Sequence, residues 1–152
     1  MQLIQLLTYG KLKEPYLRAA CAEYEKRLSR FCKLQCVELE PVFLPERPSE
    51  KEIAAALEKE AQPLLKRKKG FTIAMCIEGK QLDSPQFAQL LQRAAVQGDT
   101  AVTLLIGSSY GLAECVKRAA DLRLSMSAMT FPHQLARVML LEQIYRGYQI
   151  LG

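Results

Sequence analysis

The sequence predicts an α/β fold built on a parallel β-sheet flanked by helices. Two observations carry the prediction. Residues 71–77 and 100–106 are almost continuously apolar, and a strand without polar alternation is one buried on both faces, as in a parallel sheet. Between such runs lie segments with apolar residues three and four apart, bracketed by capping residues and glycines, which read as crossover helices. The 152 residues show no internal repeat and favour one domain with room for a core.

Residues 2–8 form a short apolar strand ended by Gly10. They are too short, and lack the basic start, for a secretory leader. Pro15 stands near the start of a helix to about residue 31, with a stripe of Leu17, Cys21, Tyr24, Leu28 and Phe31. Residues 33–40 make an imperfect second strand, in which Leu34, Cys36 and Leu39 alternate and Val37 falls out of phase. Three prolines in residues 41–48 require a loop. Ser49 and Glu52 spell a capping box for a helix through about residue 66, and Pro63 predicts a kink or an early stop. The run Lys66-Arg67-Lys68-Lys69 either complements that helix dipole or contacts phosphate.

The third strand, 71–77, leads through Gly79 to a helix with Ser84 as N-cap and Pro85 at its first position, ending at Gly98. Residues 100–106 form the fourth strand, followed by Gly107-Ser108-Ser109-Tyr110-Gly111 and a helix over about 112–120. Residues 122–126 are a fifth short strand, and Pro132 opens a final helix to about residue 150.

No apolar run approaches the ~20 residues that span a bilayer, so no membrane association is expected and a cytoplasmic location is. Five cysteines at 21, 32, 36, 76 and 115 are an odd set without metal-ligand spacing, which argues for free thiols and against a disulfide framework or a bound metal. Lys plus Arg exceed Asp plus Glu by five, a sign that suits a nucleic-acid partner.

Ligands of open parallel sheets bind beyond the carboxyl ends of the strands. Three such ends stand out: Ile77-Glu78-Gly79, the loop from Ile106 to Gly111, and the segment Leu124-Ser125-Met126-Ser127-Ala128-Met129-Thr130-Phe131-Pro132-His133. The middle one is neither a P-loop nor G-x-G-x-x-G; it is either a nucleotide-binding turn or a plain strand-to-helix turn. The last can offer main-chain groups to a purine edge and apolar side chains to its faces, although Met126, Met129 and Phe131 read equally well as core. The final helix is apolar nearly all round, which calls for burial on more than one side and points to a second copy of the chain. Glu142 and Arg146 read as an i,i+4 ion pair or as part of an interface site.

The run from Leu124 to His133, with Arg137-Val138 and Glu142-Gln143-Ile144-Tyr145-Arg146 after it, resembles the signature of the ribosomal RNA large-subunit methyltransferase H family, small SPOUT-class enzymes. Gly10-Lys11-Leu12-Lys13, Glu23-Tyr24-Glu25-Lys26-Arg27-Leu28, Ile77-Glu78-Gly79-Lys80 and Leu105-Ile106-Gly107 extend the match over nearly the whole chain. The resemblance implies a SPOUT-type α/β knot, a single domain over 1–152 with a C-terminal deep trefoil knot within about 70–152, and a homodimer. It further implies methylation of N3 of a pseudouridine in large-subunit ribosomal RNA, with S-adenosylmethionine as donor. By matching positions, donor contacts fall on Met75, Gly107, Met126, Ser127, Ala128, Met129, Thr130 and Phe131.

Two positions depart from the family pattern. Ile106-Gly107-Ser108 replaces the usual Ile-Gly-Gly, and the family's Tyr-His-Lys or Tyr-His-Arg tail would lie beyond Gly152. Two alternatives accompany the reading: a SPOUT methyltransferase acting on transfer RNA, and a non-catalytic RNA-binding homologue without the tail. For catalysis, Arg137 is expected to stabilise phosphate or a developing anion with its rigid fork of donors. His133, beside a helix N-terminus, is expected either to stay neutral as a proton acceptor or to cap that helix.

Overall fold

A computed structural model describes residues 1–97 and 101–152. Five strands alternate with five helices: β1 (Leu3–Tyr9), α1 (Pro15–Leu28), β2 (Lys33–Leu39), α2 (Glu50–Arg67), β3 (Phe71–Gln81), α3 (Ser84–Val96), β4 (Ala101–Leu105), α4 (Glu114–Ala119), β5 (Leu122–Ser125) and α5 (His133–Leu151). All strand pairs are parallel, in the order β2-β1-β4-β3-β5. The α/β architecture with a helix-flanked parallel sheet is as the apolar runs indicate. The expected end of α3 at Gly98 and start of the fourth strand at Thr100 lie outside the described residues.

Successive residues of each central strand feed two different cores, which is why these strands lack polar alternation. Leu6, Ile73 and Leu104 pack with α1, α3 and α5 on one face, while Leu7, Ala74 and Leu105 pack with α2 and α4 on the other. The same geometry explains the imperfect second strand. Leu34 and Cys36 join the first core, and Val37 and Leu39 the second. Val37 is not out of phase; it faces the other layer.

Several local expectations shift. The first strand ends at Tyr9, and α1 stops at Leu28. Ser49 and Glu52 form the expected capping box. Pro63 does not stop α2, which continues to Arg67; Lys59, whose carbonyl loses a helical partner to the proline, is exposed and open to water. At α3 the cap is Asp83, not Ser84. Asp83 accepts from the Gln86 N–H at 2.8 Å, and Gln86 Oε1 accepts the Asp83 N–H at 2.9 Å. Ser84 is thereby free to donate to Gln143 Oε1 on α5 at 2.6 Å. All five cysteines are free, Cys21 and Cys32 buried and the others partly so. Burial pushes the Cys32 thiol up to about 11.

The third strand runs past Ile77 to Gln81. Its register against β5 shifts, so that Leu124 opposes both Met75 and Lys80 while the intervening residues arch away. Gly79 makes this possible, since a Cβ there would lie 2.7 Å from the Arg123 carbonyl carbon and the Leu124 nitrogen. The bend brings Met75 and Glu78 beside the end of β5. Gly79→Ala is expected to push β5 aside and to lower stability by about 1–3 kcal/mol, measured by denaturant unfolding.

Candidate functional site

The arch of β3, the loop after β4 and the loop after β5 enclose one cleft of about 830 Å³. It lies beyond the carboxyl ends of three neighbouring strands. Of the expected donor contacts, Met75, Gly107, Met126, Ser127, Met129, Thr130 and Phe131 line it, and so does His133. Ala128 does not; it is exposed to solvent.

The β4–α4 loop is held by its backbone. Ile106 N–H donates to Leu7 O at 3.0 Å, and Gly111 N–H to Ser108 O at 2.8 Å. A Cβ on Gly107 would meet Gly111 O at 2.2 Å, and Gly111 has φ +88°, so both positions require glycine. Leu112 and Ala113 are buried at the start of α4 and fix the far side of the loop.

In the β5–α5 loop, Ser125 Oγ donates to Ser127 O at 3.0 Å and Met129 N–H donates to Ser127 Oγ at 3.0 Å. Among the described residues, the Thr130 and Phe131 N–H groups donate to no protein acceptor. Met126 packs against the larger core and also borders the cleft, whereas Met129 is 72 % exposed. These side chains are therefore walls rather than core alone. The arrangement offers apolar faces to a flat heteroaromatic ring and main-chain groups to its edge.

Charges lie at the rim. Lys117 on α4 pairs with Glu78, and its hydrogen bond holds the Glu78 carboxyl below the usual range. Burial, with the Arg137 cation adding to it, lowers the His133 imidazole below its ordinary 6.5. The N-cap of α5 is Pro132 and no side chain caps the helix, so His133 is its first residue and not a capping residue.

Arg137, expected to face the reacting groups, does not line the cleft. Its side chain is 5 % exposed, and Nη1 donates to Glu38 Oε2 at 2.8 Å and Nη2 to Gly10 O at 3.2 Å. Nε is buried without a partner among the described residues. Farther along α5, Arg146 pairs with Glu142 at 2.9 Å as a plain i,i+4 pair. A second hollow of about 560 Å³ lies between α3 and α5 and shares Met75, Leu124, Ser125 and Met126 with the cleft.

Sequence reasoning missed Glu60, whose carboxylate is buried and accepts from Ser108 Oγ at 2.8 Å and from the Val42 N–H at 2.9 Å. A signal existed, because Glu60 stands on the apolar stripe of Ala56 and Leu64. Lys117 was also missed, since nothing local distinguishes it from a solvated helix cation.

Comparison with known proteins gives a consistent result. The family model described as "Predicted SPOUT methyltransferase" matches residues 1–152. The ribosomal RNA large subunit methyltransferase H of Clostridium beijerinckii is 49 % identical over 150 residues, 97 % of this chain and 94 % of that one. The protein of the same name from Streptococcus suis is 44 % identical over 149 residues, with the same coverage of both chains. Among solved structures, a "probable methyltransferase" of Bordetella pertussis superposes with a TM-score of 0.58 at 13 % identity, covering 96 % of this chain and 93 % of that one. The tRNA (m1G37) methyltransferase of Aquifex aeolicus gives 0.52 at 12 %, covering 94 % and 69 %. At these identities the two structures speak for the fold alone.

His133 is the one histidine of the chain, so its titration can be followed without assignment. Its NMR midpoint is expected below 6.5. Because the folded state then binds less proton than the unfolded one, stability should fall as pH drops from about 6.5 through the folded midpoint. His133→Gln should flatten that part of the stability–pH curve; an unchanged slope would refute the depressed imidazole.

Proposed function

The chain belongs to the SPOUT methyltransferase family, and from that premise we propose that it is an S-adenosylmethionine-dependent methyltransferase of large-subunit ribosomal RNA. The observation that carries the reading is the convergence of three strand-end segments on one cleft with apolar walls. Methyltransferase H relatives at 44–49 % identity support the substrate class.

The residues present fit the donor. Met75, Met126 and Phe131 can flank an adenine ring, and the Thr130 and Phe131 N–H groups can serve its edge. Gly107 lets the backbone come close to the ligand, and Ser127 adds a polar side chain. Met129 would close the outer face, whereas Ala128 stands outside the cleft. When bound there, the donor would supply an activated methyl group on a sulfonium, for transfer to the accepting nitrogen.

The protein's tasks are then alignment, which contributes up to ~7–11 kcal/mol in favourable systems, and acceptance of the proton that the nitrogen loses. We assign the proton to His133. Burial and the nearby Arg137 cation keep its imidazole neutral near pH 7, and a neutral ring nitrogen can accept. Arg137 acts through His133. Its bonds to Glu38 and Gly10 fix the N-terminal part of α5 against the ends of β2 and β1. The accepting atom proposed is the imide N3 of a pseudouridine, an acidic enough nitrogen for this chemistry.

Three wider features belong to the same reading: a deep trefoil knot within about 70–152 of a single 1–152 domain, a homodimer, and a cytoplasmic location. Membership of the SPOUT methyltransferase family supports the first. Leu135, Ile150 and Leu151, exposed on α5, support the second. No helix of the described residues is long and apolar enough to cross a membrane.

Radiolabelled methyl transfer tests the function: large ribosomal subunits or whole ribosomes should be labelled, and transfer to bulk transfer RNA instead would overturn the substrate assignment. Arg137→Ala is expected to reduce methyl transfer at least ~100-fold, the lower range for general-base catalysis, while calorimetry shows donor affinity within a few-fold of the parent. Equal loss of both would contradict its role behind His133.

A further inference from the structure

We propose that Glu60 is a positioning residue for the donor-binding loop, acting through Ser108; the inference rests on reading the cleft as the donor site. Glu60 is only 5 % exposed and, among the described residues, forms no ion pair. A buried carboxylate without a cation is costly unless donors satisfy it. An aliphatic side chain would fill the same place on the α2 stripe without that cost. The carboxylate therefore implies a geometric task.

Its bonds state the task. Oε1 accepts from Ser108 Oγ at 2.8 Å, in the loop that follows Gly107. Oε2 accepts from the Val42 N–H at 2.9 Å, at the start of the proline-rich loop after β2. The Glu60 main-chain carbonyl accepts the hydroxyl of buried Tyr9, the last residue of β1. One residue thus ties the end of β1, the loop after β2 and the loop after β4 to a single point on α2. Ser108 is pinned on both sides, by Glu60 through its side chain and by Gly111 through its carbonyl. Fixing Ser108 orients the Gly107–Ser108 peptide, and Gly107 borders the cleft.

Steady-state kinetics and calorimetry with S-adenosylmethionine on the full chain test the proposal. Glu60→Met and Ser108→Ala should each raise the KM and Kd for S-adenosylmethionine about tenfold, roughly the worth of one charge-assisted hydrogen bond. At saturating donor, kcat should stay within about twofold. Combining the two should cost no more than either alone, because both cut the same link. Glu60→Gln should restore affinity to within about twofold, since its amide can donate to Ser108 Oγ while its oxygen still accepts from Val42. If Glu60→Met does not fold, Ser108→Ala and Glu60→Gln still give opposite expected results. Unchanged donor affinity in Ser108→Ala, or a hundredfold additive loss in the double variant, overturns the inference. An unmutated chain that binds no S-adenosylmethionine overturns the donor reading itself, an outcome distinct from variants that bind as well as the parent.

Discussion

The parallel pairing of β4 between β1 and β3 is the constraint on which the site depends. β4 has sheet neighbours on both sides and apolar layers on both faces, so its path has no freedom. Its carboxyl end must therefore emerge between the ends of two other strands. The chain leaving it turns at Gly107, where no Cβ fits, and enters α4 through the buried pair Leu112 and Ala113. β5 adds on the far side of β3, and the arch at residues 76–79 curls over it. Three loops distant in sequence are brought to one place by ladder hydrogen bonds and core packing.

Charge is arranged around that cleft in layers. Glu78 and Lys117 stand at the rim, where water moderates their attraction. His133 is half-buried at the wall, and desolvation opposes its protonation. Arg137 and Glu38 lie deeper, paired with each other and with the backbone of Gly10. Behind the imidazole lies a cation, and the cation is in turn paired with a carboxylate. Burial and that cation together disfavour the charged form of the imidazole.

How much could be read beforehand follows from the range of each signal. Strand and helix identities rest on local periodicity and capping, so Ser49, Glu52 and the apolar runs near 73 and 104 were legible. The three loops that line the cleft were legible because strand ends announce themselves by glycine and small polar residues. The cap of α3 was misplaced by one because Asp83 and Ser84 are both good caps, and only the tertiary bond from Ser84 to Gln143 separates them. Val37 looked out of phase because a strand with two buried faces has no wrong side. The burial of Arg137 depends on Glu38 and Gly10, about a hundred and about 127 positions away, and no window along the chain contains that information. Glu60 is the same case, with one difference: a charged residue on an apolar stripe is itself a hint.

Met75 and Met126 form a partition, with the larger cleft on one side and the hollow between α3 and α5 on the other. Thioether side chains are unbranched and turn about three bonds with little penalty. A change of rotamer at either methionine would therefore alter both spaces at once. A guest lodged beside α3 would press on the occupant of the main cleft through sulfur and methyl groups, a soft diaphragm set in an otherwise stiff frame.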